Sequence, residues 1–138
     1  MASFTKFEST SEMILTGHHN LTAAGNVVRV AIHSDAINAA SDDELADLTQ
    51  VTGTNYTAGG IDIGNGLSRT GATTSVTASD QTWTAGSGGF TSGRYIVIHD
   101  DTSTTDKLLG DWDYGGNFTV ANTETFTVDF GSSVFTLA

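Results

Sequence analysis

The sequence predicts a mainly β protein, an antiparallel β-sandwich or jelly-roll-like barrel, and three observations lead there. Apolar and polar residues alternate over short runs, as in NVVRVAIH (Asn26–His33) and in Glu124–Phe130, and a period of two gives a strand one inward and one outward face. The runs are closely spaced and bounded by turn residues, the pattern of a sandwich or barrel rather than of helix-linked parallel strands. The chain has 16 glycines and no proline, so its turns are built from Gly, Asn, Asp and Ser.

Taken in order, the first block, FTKFESTSEMIL, has Phe4, Phe7, Ile14 and Leu15 at helical spacing, while its Ser and Thr content favours extended or irregular chain. A short N-terminal helix is one of two open readings, and Gly17 ends the element either way. In the strand Asn26–His33, Val28, Val30 and Ile32 form a core face opposite Val27, Arg29, Ala31 and His33. Ser41-Asp42-Asp43-Glu44 matches a capping box, which predicts a brief helix over 42–48 burying Leu45 and Leu48.

Val51–Gly60 reads as a loop anchored by Tyr56, and Ile61-Asp62-Ile63 as a strand broken by Gly64-Asn65-Gly66. Leu67–Ala78 is a weak Thr/Ser-rich strand pattern, and Gln81–Ala85 a strand with Trp83 inward. The most apolar strand signal is Tyr95-Ile96-Val97-Ile98, followed by a polar turn from Asp100 to Asp106 and a second run, LLGDWDY. The first run reads as a strand buried on both faces, and the second as a half-buried strand alternating Leu108, Gly110, Trp112 and Tyr114 against Leu109, Asp111 and Asp113. They form a hairpin centred in the core, with Tyr95, Val97, Trp112 and Tyr114 expected inside. Short strands at Phe118–Ala121, Glu124–Phe130 and Val134–Leu137 complete a single domain over 1–138.

At 138 residues the chain buries enough surface to fold without staples, and it has no cysteine for disulfides or thiolate metal sites. A formal charge of −11, from 16 acids against 5 Lys plus Arg, argues against a nucleic-acid or anionic-membrane partner and suits a basic one. No run approaches the ~20 apolar residues that span a bilayer, and no secretory signal is expected at the N-terminus. Asn20, Asn55 and Asn117 begin N-x-[ST] triplets, read as chance matches in a Thr-rich chain.

Two residue sets invite a chemical reading. The acids Asp100, Asp101, Asp106, Asp111 and Asp113 offer oxygens to a hard cation, but their spacing is not that of an EF-hand, and Asp is favoured in turns for its local backbone bonds; they are assigned to turn and surface. His18, His19, His33 and His99 are the nitrogen donors, without a metal-ligand spacing such as HExxH. No Gly-x-Ser-x-Gly elbow or phosphate-binding glycine loop occurs, and Arg29, Arg69 and Arg94 are expected to pair with acids. No catalytic, cofactor or metal residue is assigned, and no enzyme is expected.

Three segments together resemble a family of small tailed-bacteriophage virion proteins. They are Lys6-Phe7 through Gly17-His18-His19-Asn20-Leu21 into Val28–Ile32; then Gly53–Gly60; then Arg94-Tyr95, His99-Asp100-Asp101-Thr102 and Leu108–Gly115, with Glu124–Phe130 and Leu137. The resemblance implies a virion structural component, of the capsid-decorating or cement type. Such a protein is made in the host cytoplasm, sits on the capsid exterior as a dimer or trimer, and bridges major capsid subunits. A head–tail connector or tail component is the alternative. A carbohydrate-binding sandwich using Trp83, Trp112 and Tyr114 as stacking platforms is a third reading.

Overall fold

The computed structural model describes residues 2–138 and is mainly β, as predicted. Its elements are β1 (Phe4–Lys6), α1 (Thr10–Leu15), β2 (Val28–His33), a 3₁₀ turn (Leu45–Asp47), β3 (Ile61–Asp62), β4 (Gly66–Thr70) and β5 (Thr73–Thr77), followed by β6 (Gln81–Thr84), β7 (Gly93–Asp100), β8 (Lys107–Phe118), β9 (Thr125–Val128) and β10 (Phe135–Leu137). All strand pairs are antiparallel. The main sheet runs β1-β8-β7-β2-β3, a second runs β10-β5-β4, and β6 pairs with β9.

The main sheet is buried on both faces around its centre. On the first face Val28, Val30 and Ile32 of β2 join Ile96 and Ile98 of β7 in a core with Trp83, Ile63, Val76 and Phe130 from the smaller sheets and loops. On the second, Val97 packs with Phe7, Leu48 and Leu108 in a smaller cluster flanked by Ile37, Ala39 and Tyr95. Segment 37–48 covers that face, tied by the Glu8 N–H to the Ala39 carbonyl at 3.0 Å and the Leu108 N–H to the Asp43 carbonyl at 3.0 Å.

Two irregularities in the β7–β8 pairing overturn parts of the sequence reading. Ile98 faces Gly110 and His99 faces Leu108, which leaves Leu109 as the extra residue of a bulge. Leu109 therefore enters the main core and Leu108 the smaller cluster, reversing the expected alternation. Further on, Tyr95 faces Asp113 while Gly93 faces Phe118, so Tyr114–Asn117 stand opposite Arg94 alone. Tyr114, expected inside, is carried outward by this wide bulge and is 60% exposed. Val97 is fully buried, whereas Tyr95 and Trp112 are only half-buried.

The N-terminal block divides between the two readings. Phe4 lies in β1 and pairs with Trp112, Phe7 is buried, and only Thr10–Leu15 is helical. Leu15, read as part of the apolar stripe, is 87% exposed. The helix ends at Gly17, whose φ of 77° allows the His18 N–H to reach the Met13 carbonyl and the Gly17 N–H the Ile14 carbonyl, a Schellman stop. The predicted helix over 42–48 shrinks to one 3₁₀ turn, because the capping box forms between Glu44 and Asp47 instead of Ser41 and Glu44.

Candidate functional site

The acids read as turn and surface separate into three environments. Asp100 is fully buried, and its Oδ2 accepts from His19 Nδ1 at 2.8 Å and from Asn26 Nδ2 at 2.6 Å. Its Oδ1 accepts the Thr102 N–H at 3.1 Å. Burial alone raises a carboxyl, but these donors outweigh it and hold Asp100 below its ordinary value. The bond from Thr102 is the local turn bond expected of Asp100, but the group is buried rather than on the surface and acts as a structural anchor. It joins the 18–26 connection to the end of β7, and Asn26 Nδ2 also donates to the His18 carbonyl at 2.7 Å.

Asp101 and Asp113 are solvent-side partners of arginines. Arg29 reaches Asp101 at 2.9 Å, and Arg94 meets Asp113 in a two-pronged contact at 2.8 and 2.9 Å. The Arg94 hydrogen bond and the Gly115 N–H lower the Asp113 carboxyl to about 2. Asp106 adopts a positive φ of 51° in the turn before β8. Asp111 differs from both groups: it is 6% exposed and sits opposite Val97. Burial, with the Asp113 charge beside it, pushes its carboxyl up to about 6. It too is buried where a surface residue was expected.

The histidines do not converge. His19 is committed to Asp100, while His33 and His99 lie on the second face of the main sheet, both fully buried and without a hydrogen-bond partner at either ring nitrogen. Burial lowers each to about 4, with the Asp35 charge opposing it at His33 and the Asp101 charge at His99. Among the described residues, no group of three or more His, Asp and Glu has the geometry to hold a metal ion.

One concave feature of the surface is an aromatic cleft of about 470 Å³ lined by Phe4, Trp112, Tyr114, Phe126, Val128 and Phe130 among others. Trp112 lies between Phe4 and Phe130, with ring centroids 4.9 and 5.8 Å away. Tyr114 stands at the rim against Phe118 and Phe126 at 4.8 and 5.9 Å, and Phe118 stacks on Phe126 at 4.4 Å. Of the three proposed stacking residues, Trp112 and Tyr114 meet here. Trp83 does not: it is 3% exposed and packs in the core near Tyr56. The contribution of Phe4, Phe126 and Phe130 escaped sequence reasoning: Phe126 and Phe130 lie in an alternating run, but Phe4 stands at helical spacing from Phe7 and carries no strand signal. No family model matches the chain, and no curated protein or solved structure matches it either.

Proposed function

We propose that this protein is a non-enzymatic structural component of a tailed-phage virion, a capsid decoration (cement) protein that bridges major capsid subunits. The reading rests on the ordered set of segments that resemble that family, and their packing supports treating them as one unit. His19 of the first segment is bonded to Asp100 of the third. The Tyr56 hydroxyl of the second accepts from the Ile32 N–H of the first at 2.9 Å, and Val28–His33 pairs along its length with Tyr95–Asp100.

A two-faced sheet held between buried layers is rigid, and a rigid adaptor loses little entropy on docking. Repetition around a closed shell turns a weak contact per copy into a strong one, and binding the assembled shell alone stabilises it by mass action. The surplus of acids suits basic capsid patches. The purified protein is expected to rebind shells of its own phage stripped of it and to raise their resistance to heat. Failure of intact protein to rebind would sink the assignment. Presence in the virion at a single ring's worth of copies, rather than shell-wide, would move it to the head–tail junction.

A further inference from the structure

We infer that the aromatic cleft between β8 and β9 is a docking groove for one extended, cationic segment of a partner protein, which joins the free edge of β9 as an added strand. Two independent features point to this occupant. The first is the cleft itself, at about 470 Å³ within the size range of ligand pockets, with the exposed Tyr114 ring at its rim. The second is β9, whose sole strand partner is β6. β9 lines the cleft through Phe126, Thr127 and Val128, and among the described residues its other edge has no strand against it. A row of unpaired backbone N–H and C=O groups is a template for another strand. A strand added there turns alternate side chains towards the aromatic floor.

Charge selects among occupants. Among the described residues, the formally charged one lining the cleft is Asp129, and the whole chain carries −11, so a second copy would bring its own acids to an acidic rim. A segment flanked by Lys or Arg gains from the same field. A sugar is the poorer fit, because stacking needs an open ring face, and Trp112 is half-buried with Phe4 and Phe130 against it, which leaves Tyr114 as the one widely exposed ring of the cleft. The occupant follows from the cleft's chemistry and is the same whether or not its owner is a shell protein.

An array of heptapeptides Lys-Ω-Thr-Ω-Thr-Ω-Lys, with Ω drawn from Val, Ile, Leu, Phe and Tyr, is screened against the full chain. The best binder is then titrated into isotope-labelled protein and followed by NMR. The amides of Phe126–Val128 and the Trp112 indole are expected to shift. A Glu-flanked version binds at least tenfold more weakly, a gap that narrows at about 0.5 M NaCl. A version with proline at the central Ω loses most affinity, since it cannot donate to the strand edge. Tyr114→Ala, an exposed change that leaves the fold intact, weakens binding about tenfold, and Asp129→Asn reduces the preference for Lys. The inference is overturned if no arrayed peptide shifts the β9 amides at roughly 1 mM, a millimolar affinity being the weakest useful one. It is equally overturned if the Glu or Pro versions bind as well, or if chitin or β-glucan oligosaccharides shift the Trp112 indole and the peptides do not.

Discussion

The His19 Nδ1 donates to the Asp100 Oδ2 across 2.8 Å, with both side chains fully removed from solvent. Eighty-one residues of sequence separate them, so the contact fastens an otherwise irregular connection to the end of β7. Removing one partner of such a pair leaves the other buried and unsatisfied, at a cost of about 1–3 kcal/mol. The adjacent Asp101 is a useful contrast, since its ion pair with Arg29 is one-third exposed on each side and contributes ~1 kcal/mol or less. Asp100→Ala should therefore shift the urea midpoint more than Asp101→Ala. Equal midpoints would show that Asp100 is not the anchor.

Acid should unfold this protein from about pH 6.5 downward. His33 and His99 fall from 6.5 unfolded to about 4 folded, so between those values the unfolded chain binds more protons and stability rises with pH. Their contribution is complete above pH 6.5 and is lost as pH falls towards 4, on the order of 3 kcal/mol each. Asp111 opposes them: its pKa is raised from 3.8 to about 6, so its stabilisation is complete below 3.8 and is lost as pH rises through 6. Two histidines outweigh one carboxyl. Urea midpoints at pH 7 and about pH 4.5 should differ, and Asp111→Asn, which removes the opposing group, should widen the gap. Identical midpoints for the native protein would contradict the burial of the two imidazoles.

The strands were legible because period-two alternation is a local property. Val28, Val30 and Ile32 face the core as their spacing requires. That β7 is buried on both faces was legible in its continuous apolar run, but what covers the second face was not, because Ile37, Ala39 and Leu48 reach Val97 from a distant part of the chain. Asp111 was misplaced for the same reason, and Tyr114 because a four-residue bulge is invisible to a count by twos. The cleft was harder still: Phe4, Trp112, Phe126 and Phe130 lie on different elements, and only the pairing of Phe4 with Trp112 and the approach of β9 bring them together.

The two tryptophans should differ in cost. Trp83 is 3% exposed in the main core, and truncating a buried aromatic to alanine costs about 3–5 kcal/mol. Trp112 is half-buried at the cleft wall, so Trp112→Ala removes less burial and leaves a space that water can enter, for a loss of about 2–3 kcal/mol. Chemical unfolding of the two variants should rank them in that order. The reverse ranking would mean that the cleft is closed and Trp112 is a true core residue.

Adjacent glycines in the Tyr56 loop separate backbone strain from steric fit. Gly59 and Gly60 both have positive φ, 87° and 77°, where a side chain costs about 1–2 kcal/mol whatever surrounds it. A Cβ on Gly59 would meet nothing within 4 Å, whereas one on Gly60 would stand 1.9 Å from the Val30 carbonyl oxygen and 3.0 Å from the Ala31 Cβ. The Gly60 obstacle is backbone of β2, an interior strand of the main sheet, and cannot swing aside as a side chain would. Gly59→Ala should therefore lose only the conformational cost. Gly60→Ala should lose that and more, through displacement of the loop that brings the Tyr56 hydroxyl to the Ile32 N–H. Hydrogen exchange gives a local readout: the Ile32 amide should lose protection in Gly60→Ala and keep it in Gly59→Ala. Retained protection in both would show that the loop packs less closely on β2 than a 1.9 Å approach implies.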